Sequence, residues 1–520
     1  MTASARALYK RLESYRTLTL ETAREAAKLT IPSLMREEGA THGTTLDLPY
    51  QTTGSEGLNN LASKLTLGLF PPGQSFFRFS ISPSDQRELG QTEDGIAEVQ
   101  SSLSLIEREI TSTFEAGNHR DKLHEALLHL ILAGNGVLYL PDDGPLEFFR
   151  LDQFVVERDQ AGNLLTVITC QKVDRDTLSQ EIRDLVPVDP PEGGEFPGGD
   201  VQNKSHELYT IYQLRNGKFE GRQEIDAVPI PGTEGSYTPE EFPYLALRWS
   251  PVAKEYYGRG HIELHMGALK ALDSLTTSII QGAAAAARVN PMVRPNASGY
   301  KANQLQRMEN GEFGVGNEED YWFLRTDKGQ DFAFANAAVD RLERQLNKAF
   351  LNGSGIQRDG ERVTATEIRV LAQELESALG GVFAIMRAEF QLPIVKWIMR
   401  RLVKEKRIQA LPDGIEPIIL TGLEALGRGQ EAEKIRAAAG MALELFPNGE
   451  AIQYLDAPAV VRRMFESVGV PNAEELLKSE EELAQEAQEA QARALATEGA
   501  PAANQLAQAF QTAQAAQQAQ

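Results

Sequence analysis

The strongest hydrophobic pattern in the chain runs from residue 364 to residue 402. Its apolar side chains recur every three or four residues, the spacing of one helix face: Ile368, Leu371, Leu375, Leu379, Val382, Ile385 and Met386. Thr364 and Glu367 have the spacing of a capping box at the start of this helix. Gly380 and Gly381 interrupt the pattern, and because glycine costs about 1 kcal/mol in a helix interior, the pair predicts a kink. Pro393 predicts that the helix bends or restarts.

Helical and strand patterns are mixed in the first 250 residues. Helical spacing predicts helices over residues 4–30, 57–70 and 95–133. Alternating or short apolar runs predict strands at Phe76–Ser80, Val137–Leu140, Phe148–Glu157, Leu164–Val173, Glu207–Leu214 and Tyr244–Trp249. Proline and glycine crowd residues 187–205, which is typical of a flexible surface insertion. We therefore expect one α+β region here.

Two further helices flank a segment that is rich in turns. The first covers His261 to about Arg288, and the second is marked by Val339, Leu342, Leu346 and Phe350. Between them, short alternating pieces predict a small β module: Phe313–Val315, Tyr321–Leu324 and Phe332–Phe334. Residues 431–470 have helical patterns, and from Glu474 onward Glu, Ala and Gln predict a solvated helix that frays into disorder. The expected fold class is α+β and mainly helical.

Length and cysteine content limit the class of protein. A chain of 520 residues is too long for one compact core, so several subdomains are expected. Because Cys170 is the single cysteine, the chain cannot form an internal disulfide, which fits a protein made in the cytosol. We expect Cys170 to be a small buried side chain. Charged residues near the start exclude a secretory signal, and the window Ala126–Leu140 is too short and too polar to span a membrane. We expect no membrane insertion.

Net charge and motifs exclude several kinds of function. The net charge of −22 argues against a protein that grips DNA tightly, but is compatible with a conduit through which DNA slides. The chain has no phosphate-binding Gly-Lys-Ser/Thr loop, and Gly258–Gly260 lacks the third glycine of a dinucleotide site. His261 and His265 lie one turn apart, but no third ligand has a recognisable spacing. We therefore expect no catalytic residue, cofactor or metal.

Several motifs resemble those of a known family. Gln357–Ile368 followed by Glu374–Val382, the run Leu58–Leu65 that continues to Leu-Phe-Pro, and Thr421–Gln430 resemble portal proteins of short-tailed bacteriophages, which are head-to-tail connectors. The resemblance covers roughly residues 5 to 430 and weakens in residues 187–205 and beyond 431. It implies a ring of twelve subunits around a central channel, with a wing, a stem, a clip and a crown.

The resemblance also implies domain boundaries. They are a wing at 1–257, a first stem helix at 258–288, a clip at 289–334, a second stem helix at 335–352, a tunnel loop at 353–363, a kinked tunnel helix of the wing at 364–402, a connection at 403–430, a crown at 431–478 and an Ala/Gln/Glu-rich tail at 479–520. In this family the clip protrudes from the capsid and docks the tail, and the tunnel loop hangs into the channel.

The implied function is passage of double-stranded DNA through a capsid vertex during packaging and ejection. The implied partners are further copies of the chain, the large terminase subunit, a tail adaptor, the major capsid and scaffolding proteins, and internal core proteins of the virion. Candidate site residues are the DNA-facing loop residues Gln357, Arg358, Asp359, Glu361 and Arg362, the kink at Gly380 and Gly381, and the clip interface residues Phe313, Tyr321, Trp322, Phe323 and Phe332.

Two other functions stay open at this point, namely an enzyme that processes nucleic acid and a capsid adaptor that binds only protein. The roles of Arg341, Arg344, Lys348 and Lys270 on the two stem helices also stay open. These cations would face a neighbouring subunit or the channel, or would lie on the surface, solvated or ion-paired.

Overall fold

The structure of the protein is a computed structural model. It describes residues 4–40, 43–72, 75–81, 93–185, 205–286, 291–293, 307, 321–323, 329–352, 365–412 and 415–419. All of these residues belong to the first of two compact units, Met1–Gly422. The second unit, Leu423–Gln520, lies outside the described residues, and with it lie the predicted helices at 431–470, the crown and the tail. The tunnel loop, Phe313 and most of the segment 187–205 also lie outside them.

Nine α-helices carry most of the described chain. They are α1 (Ala5–Lys28), α2 (Thr53–Leu69), α3 (Glu93–Ala116), α4 (His119–Ala133), α5 (Gln180–Leu185), α6 (His261–Ala286), α7 (Gly329–Ala349), α8 (Ala365–Met386) and α9 (Leu392–Lys404). A π-helical segment, Arg387–Gln391, joins α8 to α9. The helix predicted over residues 4–30 is confirmed as one continuous helix, α1.

The described strands form four antiparallel sheets. The strands are β1 (Phe77–Ile81), β2 (Asn135–Tyr139), β3 (Glu147–Phe149), β4 (Phe154–Arg158), β5 (Leu164–Asp174), β6 (Ser205–Arg215), β7 (Lys218–Ile225), β8 (Val228–Pro229), β9 (Gly235–Tyr237), β10 (Tyr244–Arg248), β11 (Pro291–Val293), β12 (Tyr321–Phe323) and β13 (Ile415–Ile419). The largest sheet has the order β4-β5-β6-β7-β8, with β9 on β7. The other sheets are β10-β2-β3, β1-β13 and β11-β12.

The predicted strands of the first half are confirmed with small changes of boundary. The predicted strand Phe148–Glu157 is split into β3 and β4 by a 3-10 turn at Leu151–Gln153. The β4-β5 hairpin closes through the bond from the Asp159 amide to the Asn163 carbonyl, and Gly162 adopts a φ of +92° that favours glycine. Strands β7, β8, β9, β11 and β13 were not predicted.

Helix α2 lies at the centre of the largest hydrophobic cluster. Its side chains Leu58, Leu61, Leu65 and Leu69 are all fully buried. The next residue, Phe70, is also buried, and its ring lies 5.3 Å from Phe76, 5.7 Å from Phe114 and 5.4 Å from Phe390 between centroids. Elements that are far apart in sequence therefore share one core around α2.

The helix predicted as the second stem helix begins earlier than the sequence suggested. The Phe332–Phe334 stretch, predicted as a β piece of the clip, belongs to α7, which starts at Gly329 rather than at residue 335. A three-residue alternation of Phe and Ala does not distinguish strand from helix, and the alanines that follow favour helix. Phe332 lies against Gly282 of α6, where an added Cβ would be 2.7 Å from the ring. Phe332 therefore forms a contact between α6 and α7.

The long tunnel helix departs from α geometry at a different place from the predicted one. The α-helix continues through Gly380 and Gly381, and the π-helical segment follows at Arg387–Gln391. The restart at Pro393 is confirmed, since this proline lies in the first turn of α9. A kink at the glycine pair itself stays a prediction.

The helix predicted over residues 364–402 contains most of one apolar stretch, Ser377–Lys404, which was not considered as a membrane span from the sequence. It is the one helical stretch, among the described residues, whose length and composition would allow it to cross a membrane. Its side chains Phe383, Met386, Phe390 and Trp397 are buried in the large cluster of the same chain. Because these residues have partners inside the protein, we interpret the stretch as a core helix.

Candidate functional site

The chain enters the tunnel loop from a firmly held point at the end of α7. We call Phe350–Asn352 the loop root. The ring of Phe350 is fully buried against Gly57 of α2, where an added Cβ would lie 2.5 Å from ring atoms. A side chain at position 57 would displace this ring, so the close approach requires glycine. The loop root is thereby fixed to the central helix of the core.

Two polar side chains of α2 bind the backbone of the loop root. Asn60 Nδ2 donates to the carbonyl oxygens of Phe350, at 3.2 Å, and of Leu351, at 3.3 Å. Lys64 Nζ donates to the Leu351 carbonyl at 2.7 Å. The last carbonyls of a helix lack intrahelical donors and carry the negative end of its dipole, so a lysine there is doubly favourable.

The backbone turns sharply at the loop root. Leu351 has a φ of +57°, a left-handed conformation that costs a non-glycine residue roughly 1–2 kcal/mol. The Asn352 amide bonds the Asn347 carbonyl at 2.8 Å, as in a helix C-cap. The bonds from α2 hold this conformation in place, and they set the direction in which the chain leaves the stem.

Two histidines of α6, His261 and His265, also contact the end of α7 and the loop root. His261 Nε2 lies 3.1 Å from the Ala349 carbonyl, and both imidazole rings lie within 6 Å of Phe350, at 5.7 Å and 5.9 Å between centroids. Burial, with a smaller effect of His265, lowers the pKa of His261 to about 4. The neutral ring therefore donates its Nε2–H to the Ala349 carbonyl. Within the described part of the chain, no group of three or more His, Cys, Asp or Glu could hold a metal ion.

The tunnel helix contacts the C-terminal end of α2. Leu375 of α8 is fully buried beside Gly68, where an added Cβ would lie 2.9 Å from the leucine Cδ1. In the π-helical segment, Gln391 Nε2 donates to the Leu69 carbonyl, and Phe390 meets Phe70 edge-on. Both sides of the tunnel loop are therefore anchored on one helix.

An ion pair links the π-helical segment to the strands of the wing. Glu389 Oε1 lies 3.7 Å from a guanidinium nitrogen of the buried Arg248 on β10. Arg158 of β4 is buried nearby and donates to the carbonyls of Gly162, at 2.9 Å, and Ala246, at 2.6 Å. Burial, together with the charge of Arg248, lowers the pKa of Arg158 to about 10, and Glu389 opposes this shift. The Glu389 carboxylate thus offsets part of the cost of two buried cations.

The described residues bring only some of the predicted site residues into view. Gln357, Arg358, Asp359, Glu361 and Arg362 lie outside them, as does Phe313. Gly380 and Gly381 are exposed, with no atom of the described chain within 4 Å of a Cβ added at either. Tyr321, Trp322 and Phe323 form β12, which pairs with β11. Phe332 is on α7 and not in this hairpin.

Sequence reasoning missed Asn60, Lys64 and Phe350 as anchors of the loop. A signal was present, because Asn60 and Lys64 lie one turn apart on the same helix. Among the cations left open, Lys270 pairs with Glu25 of α1. Arg341, Arg344 and Lys348 are exposed, and none of the three forms an ion pair with another described residue. Cys170 is half-buried in β5, and burial raises the pKa of its thiol to about 12.

Comparisons with known proteins add to this geometry. The family model described as bacteriophage head to tail connecting protein matches residues 2–475. The chain is 37% identical to the portal protein of Escherichia phage T7 over 440 residues, covering 83% of this chain and 80% of that protein. It is 35% identical to the portal protein of Enterobacteria phage T3 over 488 residues, covering 92% and 89%. A solved neck of a native GTA particle, computed with C12 symmetry, is similar with a TM-score of 0.36 at 12% identity, covering 81% of this chain and 93% of that chain.

We predict that removing the donors on α2 loosens the loop root. In Asn60→Ala and Lys64→Ala, the carbonyls of Phe350 and Leu351 in the loop root lose bonds worth about 1–3 kcal/mol each when a partner is charged or buried. Hydrogen exchange of the Asn352 amide should accelerate by about 10-fold, which corresponds to about 1.4 kcal/mol. Asn59→Ala is the matched control, because Asn59 is exposed on the same helix. Equal exchange in all three variants would contradict the anchoring role.

We also predict that acidification weakens the stem junction through His261. The pKa of a free histidine is about 6.5, whereas burial lowers that of His261 to about 4. At pH values between 4 and 6.5 the folded state therefore binds fewer protons than the unfolded state. The contribution of His261 to the free energy of unfolding is fully present above pH 6.5 and is lost as the pH falls towards 4. Between pH 7.5 and pH 5 the loss is about 2 kcal/mol from this group. Urea unfolding of the wild type and of His261→Gln at both pH values should differ by that amount, and identical pH dependence would contradict it.

Proposed function

Because the chain belongs to the family of bacteriophage head to tail connecting proteins, we propose that it forms the ring-shaped portal channel at one capsid vertex. The observation that carries this proposal is the extent of the similarity, which runs along most of this chain and most of the portal proteins. Double-stranded DNA passes through the channel inward during packaging and outward during ejection. The protein acts as a structural component of the virion at the junction of head and tail, and not as an enzyme.

The proposed ring has several partners in succession. It is made in the host cytoplasm, nucleates head assembly with the scaffolding and major capsid proteins, and docks the large terminase subunit, which supplies the ATP hydrolysis. After packaging it docks the tail adaptor, while internal core proteins contact its inner end. A net charge of −22 favours weak contact with the DNA backbone, which is compatible with sliding.

The tunnel loop is proposed to act as a valve. It brings two cations, Arg358 and Arg362, and two carboxylates, Asp359 and Glu361, so it can touch phosphates without holding them. Support comes from its two anchors, since the loop root and Leu375 both contact α2. Force exerted on the loop by DNA would therefore be transmitted to the core of the wing. Gly380 and Gly381, which are exposed, are the proposed place where the tunnel helix bends.

The clip is proposed to dock the partners outside the head. Its described hairpin, β11 with β12, has three residues in each strand and is too small to bury a core of its own. Neighbouring subunits would supply the missing strands, with Tyr321, Trp322 and Phe323 at the interface together with Phe313. Phe332 is not included, because its ring packs between the stem helices.

The test of the proposed function is the shape of the purified chain. We expect closed rings with a central hole in electron micrographs, and a family-like number of twelve copies, or a neighbouring number without scaffold, in native mass spectra. Heterologous contacts that close into a ring are the physical requirement. Monomers or dimers alone, across a range of salt concentrations, would contradict the proposal and would favour a protein-only adaptor or an enzyme.

The test of the valve is the DNA content of mutant heads. Arg358→Ala with Arg362→Ala should leave the rings intact and let packaged DNA leak back before the tail attaches, because two phosphate contacts per subunit are lost. The matched control, Asp359→Asn with Glu361→Gln, changes the loop charge in the opposite direction and should retain DNA at least as well as wild type. Heads of the arginine variant that hold a full genome would remove the loop from the mechanism.

A further inference from the structure

Two buried arginines come together between β4, β10 and the π-helical segment. Arg158 of β4 is 8% exposed, and Arg248 of β10 is 7% exposed. Arg158 Nη2 donates to the carbonyl of Ala246, two residues before Arg248 on the same strand, so both guanidinium groups reach one part of β10. Burial, and after it the charge of Arg248, lowers the pKa of Arg158 to about 10. Two cations this close together in the interior require compensating groups.

The guanidinium group of Arg248 has few acceptors for its N–H donors. Within the described part of the chain its one charged partner is Glu389 Oε1, and the distance of 3.7 Å is too long for a hydrogen bond. Arg158, in contrast, donates to the carbonyls of Gly162 and Ala246. The Nε atoms of both arginines are buried and have no partner among the described residues. Because a buried charged donor without an acceptor is costly, this arrangement calls for a further anionic acceptor.

The two nearby carboxylates do not supply that acceptor. The side chain of Glu389 is 40% exposed and stays beyond hydrogen-bond distance of Arg248. Asp159 is close enough to favour the charged form of Arg158, but its carboxylate is bound elsewhere. Its Oδ1 accepts the Asn163 amide and its Oδ2 accepts Asn163 Nδ2, both at 2.8 Å. The terminal nitrogens of Arg248 therefore stay available to an anion from outside the chain.

The turn between β4 and β5 leaves an approach to Arg248. A Cβ added at Gly162 would lie 3.3 Å from both Nη1 and Nη2 of Arg248, and these are the nearest atoms that it would meet. The missing side chain therefore leaves space beside the two nitrogens that can bind two oxygens of one anion. Ala161 and Asn163 are exposed, so this turn lies at the surface. Arg158 Nη1 bonds the Gly162 carbonyl at 2.9 Å, which brings the second guanidinium group to the same place.

We propose that Arg248, with Arg158 beside it, binds a small oxyanion of the phosphate class at the turn Asp159–Asn163. A tetrahedral anion presents several oxygens, so it can accept both terminal N–H groups of Arg248 and still lie near the charge of Arg158. The bound anion competes with Glu389 for Arg248. The inference does not rest on the proposed function, because every group in the site belongs to one chain.

The experiment is calorimetric titration of the full-length chain with inorganic phosphate near neutral pH, with ionic strength held constant by sodium chloride. We expect saturable binding of one phosphate per chain with a dissociation constant of about 1 mM or tighter. A nucleoside monophosphate is titrated in parallel to distinguish the source of the phosphate group. Equal affinity identifies the free ion as a sufficient ligand, and tighter binding of the monophosphate identifies a nucleotide.

Three variants locate the site. Arg248→Met removes the terminal donors and should weaken phosphate binding by about 10-fold or more, since hydrogen bonds to charged groups are among the strong ones. Glu389→Gln removes the competing carboxylate and should tighten binding by about 3-fold. Arg400→Met is the matched control and should bind like wild type. Arg400 is a half-buried arginine whose Nε also lacks a partner among the described residues, but it lies on α9.

Hydrogen exchange provides a second measurement of the same site. Phosphate should slow amide exchange in the turn Asp159–Asn163 and in the π-helical segment of wild type, and should not do so in Arg248→Met. Protection confined to other parts of the chain would overturn the proposal.

The titrations can also contradict the site. Equal affinity of wild type and Arg248→Met would mean an adventitious ion only, and absence of saturable binding in wild type and in Glu389→Gln would equally overturn the inference. If Arg248→Met does not fold, Glu389→Gln decides, because unchanged or weaker binding in that variant contradicts the competition. None of these outcomes bears on ring formation, so failure here leaves the proposed function intact.

Discussion

The burial of α2 is the constraint on which the rest of the large hydrophobic core depends. Four leucines of this helix are fully buried, and each contributes roughly 1.5–3 kcal/mol by leaving water. A helix fixed in this way can serve as a support for segments that are themselves poorly packed. The loop root contacts its middle through Gly57, Asn60 and Lys64, and the tunnel helix contacts its end. The segments before and after the tunnel loop are thus both held by contacts with α2.

Backbone carbonyls at helix ends connect distant parts of the chain. The end of α7 is served by His261, Asn60 and Lys64, and the end of α2 by Gln391 and by Arg120, which donates to the Phe70 and Pro71 carbonyls. A buried carbonyl without a hydrogen-bond donor is energetically costly, so these side chains stabilise the fold by supplying the donors. They determine which helix ends lie together, and therefore where the chain changes direction between stem, loop and wing.

The helices and most strands could be predicted because their signals are local. Spacing of apolar residues placed α1, α2, α6 and the tunnel helix close to their observed bounds. Phe332 was misplaced because three alternating residues carry too little information to separate strand from helix. Strand β13 was missed because it exists by pairing with β1, more than 300 residues earlier in the chain. The π-helical segment was missed because it depends on contacts of Glu389 and Gln391 with other elements.

By itself, the sequence determined the α+β composition, the two stem helices, the tunnel helix with its restart at Pro393, and the family, because these follow from periodicity and from motifs that are local in the chain. Only the tertiary structure decided which helix holds the tunnel loop, what the histidine pair binds and which two arginines are buried together. The reason is physical, since burial and hydrogen-bond partners depend on residues brought together from far apart. Lys64 bonds the Leu351 carbonyl across 287 positions, and no pattern within either segment specifies that bond.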